Sequence, residues 1–216
     1  MADLLYGPDG PAEREVHLVG HVEGKRVLDL GCGDGSAAIT LAQQGAVVIA
    51  VDSNEARLAQ ARRRAEQAEV RVEFRAEDLA DLAFLRADSV DVVFSAFAVD
   101  TVDDTARVFR QVQRVLKPNA HFVFSHAHPF SLCLAEGRVT RSYLDTMPVT
   151  VTRWGESVTV YPRSLSETFT DLARAGFRIE TLLEPTPAGY RPLTERAPAE
   201  AAVPTTVVWR ARKEGT

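Results

Sequence analysis

A strand that runs straight into a glycine-rich turn and then a helix start constrains this chain more than any other feature. Arg26-Val27-Leu28-Asp29-Leu30 is a short apolar run, Gly31-Cys32-Gly33-Asp34-Gly35 follows it, and a helical stretch opens at Ser36. Glycines allow close approach of a ligand to the backbone, and a helix start presents unpaired amides. The turn therefore predicts a βα unit with a ligand site beyond the carboxyl end of its strand.

The unit repeats. Apolar runs at 26–30, 46–51, 90–95 and 120–125 read as buried strands, and the alternating run 70–75 as a strand with one wetter face. Between them, 36–44, 54–68 and 103–116 have helical composition, and Pro11 opens a further expected helix to about Val22. Strands alternating with helices imply an α/β fold, a Rossmann-like doubly wound sheet with helices on both faces. Residues 149–152 and 158–161 flank a turn containing Gly155, which predicts a small β-hairpin inserted after the fifth strand. A helix over 164–175 and strands over 177–183 and 205–212 complete the chain. Pro185, Pro187, Pro192, Pro198 and Pro204 mark a surface loop between those last strands. The reading is a single domain over 1–216, with a mobile leader at 1–10 and an acceptor-side insertion at 127–163.

Charge and cysteine content narrow the partners. A net charge of -5 over 216 residues gives no electrostatic reason for nucleic acid or an anionic membrane, and Arg62-Arg63-Arg64 fits a solvated helix face. Cys32 and Cys133 are far apart and outside any C-x-x-C pair, so neither a disulfide scaffold nor a zinc site is expected. Residues 1–10 lack the basic start and apolar core of a signal peptide, and no apolar run has the length of a membrane span. The expected location is cytoplasmic.

Carboxylates follow the strands in order. Asp29 lies in the first, Asp52 ends the second at the distance expected of a ribose acceptor, and Asp78 follows the third where it can accept from an adenine amino group. The turn reads G-x-G-x-G, one residue shorter than the dinucleotide G-x-G-x-x-G. An adenosine without phosphates fits this set.

Residues 27–36, Asp52, Asp78 and Asp91-Val92-Val93-Phe94-Ser95 resemble the successive motifs of class I S-adenosylmethionine-dependent methyltransferases, in the ubiquinone/menaquinone-biosynthesis-like branch. Arg114-Val115-Leu116-Lys117-Pro118-Asn119-Ala120 resembles that family's turn into its fifth strand. The resemblance covers roughly residues 11–213 and implies a seven-stranded sheet whose last strand is antiparallel. It implies S-adenosyl-L-methionine as cofactor, with Asp29 near the methionine amino group and Gly31, Cys32 and Gly33 along the methionine and ribose. Asp52 and Ser53 would meet the ribose, Asp78 and Leu79 the adenine, and Ser95 and Ala96 would lie under the cofactor.

Acceptor residues are expected after the fourth and fifth strands and in the insertion: Phe97, Asp100, His128, Tyr143, Tyr161 and Arg163. His128 reads either as a general base or as a loop-holding hydrogen bonder, His126 as structural, Asp100 as an acceptor contact or the cap of a helix starting near Asp103, and Trp154 as packing. No Asp, Glu or Cys near His126 and His128 completes a metal set. A sulfonium is already an activated donor, so alignment of a small-molecule O or N acceptor behind the methyl carries much of the rate. The rival acceptor is a macromolecule; Ser95-Ala96-Phe97-Ala98 lacks the Pro-Pro of exocyclic-amine methyltransferases. A nicotinamide oxidoreductase is disfavoured by the glycine spacing, and a non-catalytic binding module would show the same cofactor residues.

Overall fold

The computed structural model describes residues 3–7, 10–186 and 203–215. Short α1 (Glu13–Val16) precedes β1 (Arg26–Leu30), α2 (Ser36–Gln43), β2 (Val47–Asp52), α3 (Glu55–Gln67), β3 (Val72–Ala76), β4 (Val90–Ala96), α4 (Thr105–Val115) and β5 (Leu116–Ala127). An insertion carries two small hairpins, β6 (Leu134–Ala135) with β7 (Arg138–Val139), and β8 (Val149–Arg153) with β9 (Glu156–Val160). Then come α5 (Leu165–Arg174), β10 (Phe177–Leu183) and β11 (Thr206–Lys213).

Seven strands make one sheet in the order β10-β11-β5-β4-β1-β2-β3. The neighbours from β3 to β5 pair in parallel, and β11 runs antiparallel to both β5 and β10. The expected Rossmann-like sheet with an antiparallel last strand is therefore present, and its carboxyl ends gather on one edge.

Both faces of the sheet are buried, which is why the parallel strands read as continuous apolar runs. Leu28, Val93, Phe122 and Trp209 face Phe109 and Val112 of α4 and Leu172 of α5. Val27, Val48, Phe94 and Val123 face Leu41 of α2, Leu58 of α3 and the N-terminal Leu4 and Tyr6. Each such large apolar side chain contributes roughly 1.5–3 kcal/mol on burial. Side-chain caps fix the helix starts: Asn54 accepts from the Ala56 and Arg57 amides, Asp104 from Arg107, and Ser164 and Glu167 form a capping box.

Several expectations are corrected. The helix expected over 11–22 stops at Val16, because the Glu13 carboxylate takes the Leu18, Val19 and Gly20 amides at 3.1, 2.8 and 2.9 Å and His17 turns left-handed (φ 50°). The described part of the expected mobile leader is packed: Leu4 and Tyr6 are buried, and the Tyr6 hydroxyl donates to Glu13 at 2.5 Å. Strand β3 lies later than 70–75, and β5 begins at Leu116, four residues before the apolar run that predicted it. The hairpin over 149–160 forms as expected, whereas β6–β7 had no clear signal. Much of the proline-rich stretch, residues 187–202, lies outside the described residues.

Candidate active site

The donor end is built where β1, β2, β3 and β4 finish. The Gly31 and Cys32 amides both donate to the Val51 carbonyl, at 2.7 and 2.9 Å, pinning the glycine turn to β2. Gly31 is left-handed (φ 79°), and a Cβ there would stand 2.1 Å from the Ala98 Cβ and 3.3 Å from Leu79. Only glycine lets the ends of β1, β3 and β4 close up this way.

Asp52 does two things at once. Its Oδ2 accepts from the Gly33 amide at 2.9 Å and its Oδ1 from the Asn54 amide at 2.8 Å. A carboxylate has about four lone-pair sites, so capacity for two ribose hydroxyls remains. Asp78 is exposed and likewise keeps capacity, since its Oδ1 accepts only from the Ala80 amide at 2.8 Å among the described contacts. Leu79 is buried beside the turn, and Ser53 is exposed at the cleft's rim.

Asp29 is 1% exposed, and its Oδ2 has no hydrogen-bond partner among the described residues. Burial pushes its carboxyl up to about 7, with the Asp52 charge adding to that and the Ala38 amide opposing it. The Ser95 hydroxyl at the end of β4 is also buried and unpartnered, with Ala96 half-buried beside it. Burial, with the nearby Asp29 charge, pushes the Cys32 thiol far up, so it packs as a neutral side chain. An orphaned buried carboxylate beside a glycine turn, with open space at Gly33, fits a ligand that brings an ammonium and a sugar.

At the acceptor end the polar groups are already committed. Asp100 does not cap a helix; Asp104 does that. Instead Asp100 holds Arg153 through two bonds, 2.9 Å from Nη1 and 2.5 Å from Nη2, and both side chains are buried. It also accepts from the Ala127 amide at 3.2 Å. Arg153 donates to the Phe97 carbonyl at 3.2 Å and lies 4.8 Å from that ring's centre. Phe97 itself is left-handed (φ 55°) and buried, with its amide bonded to the Ser125 carbonyl.

His128 has a partner on each ring nitrogen: Nε2 meets Glu184 at 2.7 Å and Nδ1 accepts from the Phe130 amide at 3.2 Å. These contacts favour its loop-holding role over that of a general base, which needs a free nitrogen. His126 is structural as read, bonded to the Ala127 carbonyl at 2.8 Å and to the Trp209 indole at 3.0 Å, and burial holds it neutral. The Tyr143 hydroxyl accepts from the Leu165 amide at 3.1 Å, and Arg163 reaches Thr105 at 2.8 Å and the Asp103 carbonyl. Tyr161 and Arg163 border a small cavity of about 20 Å³, whose other walls include Val99, Phe124, Pro129 and Leu132.

Sequence reasoning missed Arg153 and Glu184. Neither carries a local signal, since a lone Arg in a hairpin and a lone Glu before a proline look like surface residues until the fold buries their partners.

Spare acceptors for a nucleoside and an orphaned carboxylate, on a sheet of this order, fit a site for S-adenosylmethionine. The chain belongs to the methyltransferase-domain family, whose profile matches residues 21–164. It is similar to an S-adenosylmethionine-dependent methyltransferase from Mesorhizobium loti, at 30% identity and a TM-score of 0.70 over 95% of this chain and 100% of that one. A structure from Listeria monocytogenes described in the same terms aligns at 26% identity and a TM-score of 0.74, over 94% of this chain and 98% of that one. The ubiquinone biosynthesis O-methyltransferase of Hahella chejuensis is 40% identical over 102 residues, 47% of this chain and 43% of that protein. The chain thus spans less than half the length of that curated relative. Among the described residues no helix is long and apolar enough to cross a membrane.

Proposed function

We propose that this protein transfers the methyl group of S-adenosylmethionine to an oxygen or nitrogen of a small-molecule acceptor, and that the acceptor approaches beside Tyr161 and Arg163. The observation that carries the donor half is the unpartnered Oδ2 of Asp29, buried next to a turn that admits only glycine at position 31. Asp29 accepts the methionine ammonium, Gly33 and Asp52 flank the ribose, and Asp78 with Leu79 frames the adenine. The cofactor, when bound, supplies a methyl already activated on a sulfonium.

The protein's own task is alignment and exclusion of water. Positioning of this kind is worth up to roughly 7–11 kcal/mol in well-oriented reactions. The walls of the small cavity beside Tyr161 and Arg163 are mostly apolar. The ubiquinone-biosynthesis relative, named as an O-methyltransferase, supports an oxygen nucleophile.

Calorimetry with S-adenosylhomocysteine tests the donor half. We expect binding by the wild-type protein and a loss of at least about tenfold in Asp52→Ala, since the charge-assisted bonds to the ribose go with the carboxylate. Equal affinity in the two proteins sinks the assignment. Transfer of labelled methyl to hydroxylated arenes tests the acceptor half, and binding without transfer to any small molecule favours a non-catalytic module.

A further inference from the structure

Two ion pairs hold the β8–β9 turn, one to the residues after β4 and one to α3. On the β4 side, Arg153 is locked to Asp100 and to the Phe97 carbonyl, with its guanidinium over the Phe97 ring. On the α3 side, Glu156 pairs with Arg57 in the first turn of α3. The cap of that helix, Asn54, is bonded through its amide to Asp52. Arg153 and Glu156 face each other in the hairpin register, so only Trp154 and Gly155 lie between the two anchors.

That two-residue turn therefore bridges from the exit of β4 to the start of α3. A nucleoside reaching from Ala96 to Asp52 lies between the same two points. Trp154 is held left-handed (φ 49°) and is 66% exposed, yet its ring stands edge-on to Phe97 with centroids 6.1 Å apart. Much of its large apolar surface is therefore left uncovered. The left-handed backbone of Trp154 and Gly155 (φ 49° and 81°) is that of a two-residue hairpin turn, and it holds an exposed tryptophan between two anchors, where it can wall something that is not part of the chain.

We infer that Trp154 and the β8–β9 turn form a wall over the bound donor, and that the Arg57–Glu156 pair parts when the donor enters or leaves. The inference rests on the donor site described above. The wall has a chemical preference: an aromatic ring attracts a sulfonium cation more than the neutral thioether left after transfer. Substrate is held more firmly than by-product on this side of the cleft.

Stopped-flow release of S-adenosylhomocysteine and calorimetry with both ligands test this. Arg57→Glu and Glu156→Arg each place like charges together and should speed release about twofold to fivefold, the range an exposed ion pair commands. The double exchange, Arg57→Glu with Glu156→Arg, should restore the wild-type rate. Trp154→Ala should weaken S-adenosylmethionine about threefold more than S-adenosylhomocysteine, in line with an exposed cation–π contact. Wild-type release rates in the single variants, no restoration in the double, or equal weakening of the two ligands in Trp154→Ala would overturn the wall. Wild-type protein that binds neither ligand overturns the donor site itself, and the wall with it. Binding that depends on Asp52 but ignores the turn overturns the wall alone.

Discussion

The proposed donor end and the proposed acceptor end are both lined with charged side chains, yet they differ in what those side chains still lack. At the donor end Asp29 and Ser95 have buried atoms without partners, and Asp52 and Asp78 retain acceptor capacity. At the acceptor end Asp100 is spent on Arg153, His128 on Glu184 and the Phe130 amide, and Tyr143 on the Leu165 amide. Unspent capacity in a buried group is costly to the empty protein and marks where a ligand belongs. Saturated groups hold the scaffold.

The difference can be broken at Asp100. Asp100→Ala leaves a buried guanidinium without its counter-charge and should cost about 3–5 kcal/mol of stability in denaturant unfolding. A loss below about 1 kcal/mol would mean that Arg153 finds water, and that this end is less saturated than its contacts indicate. His128→Ala should cost about 1–2 kcal/mol, the worth of its bonds to Glu184 and the Phe130 amide, and leave S-adenosylhomocysteine affinity unchanged. If instead stability holds and methyl transfer collapses, His128 is a base after all.

At the donor end the sign reverses. The Asp29 carboxyl sits at about 7 in the folded chain against 3.8 for an ordinary aspartate, so folding favours its protonated form. Its contribution to stability is therefore full below about pH 4 and is lost as pH rises towards 7. A bound ammonium needs the charged form, so S-adenosylhomocysteine should bind about tenfold more weakly at pH 6 than at pH 8. Asp29→Asn should flatten that pH profile and weaken binding. In the ligand-free protein at pH 8 it should leave stability unchanged or raise it by about 1 kcal/mol. Destabilisation of the ligand-free protein by Asp29→Asn would place this carboxylate with the saturated groups instead.

The strand ends that carry the proposed donor residues were readable because their determinants are local. Gly31, Asp52 and Asp78 each sit at a strand end, and strand ends show in the apolar runs that precede them. The acceptor end was not, because its logic lies in pairs separated by long stretches of chain. Asp100 and Arg153 meet only after the insertion folds back, and nothing near either residue announces the other. The same holds for α1: a Glu whose side chain gathers three amides beyond its own helix has the composition of a longer helix. Boundaries blurred where backbone pairing outran hydrophobicity, as at Lys117-Pro118-Asn119, which are exposed yet belong to β5.

The position of β11 between β5 and β10 has a consequence for assembly. Strands β1 to β5 find their neighbours in the order in which they are made, or nearly so. Strand β10 cannot: its only neighbour among the described residues, β11, is made after it, so it joins the sheet only with or after β11. Until then Phe122 and Phe124 lack the indole of Trp209, which stacks on Phe124 in the finished core. The parallel half can thus form early, while the sheet closes late. Emission from Trp209, buried beside His126, should report that final docking step in refolding as a separate and slower event than formation of the glycine-turn half.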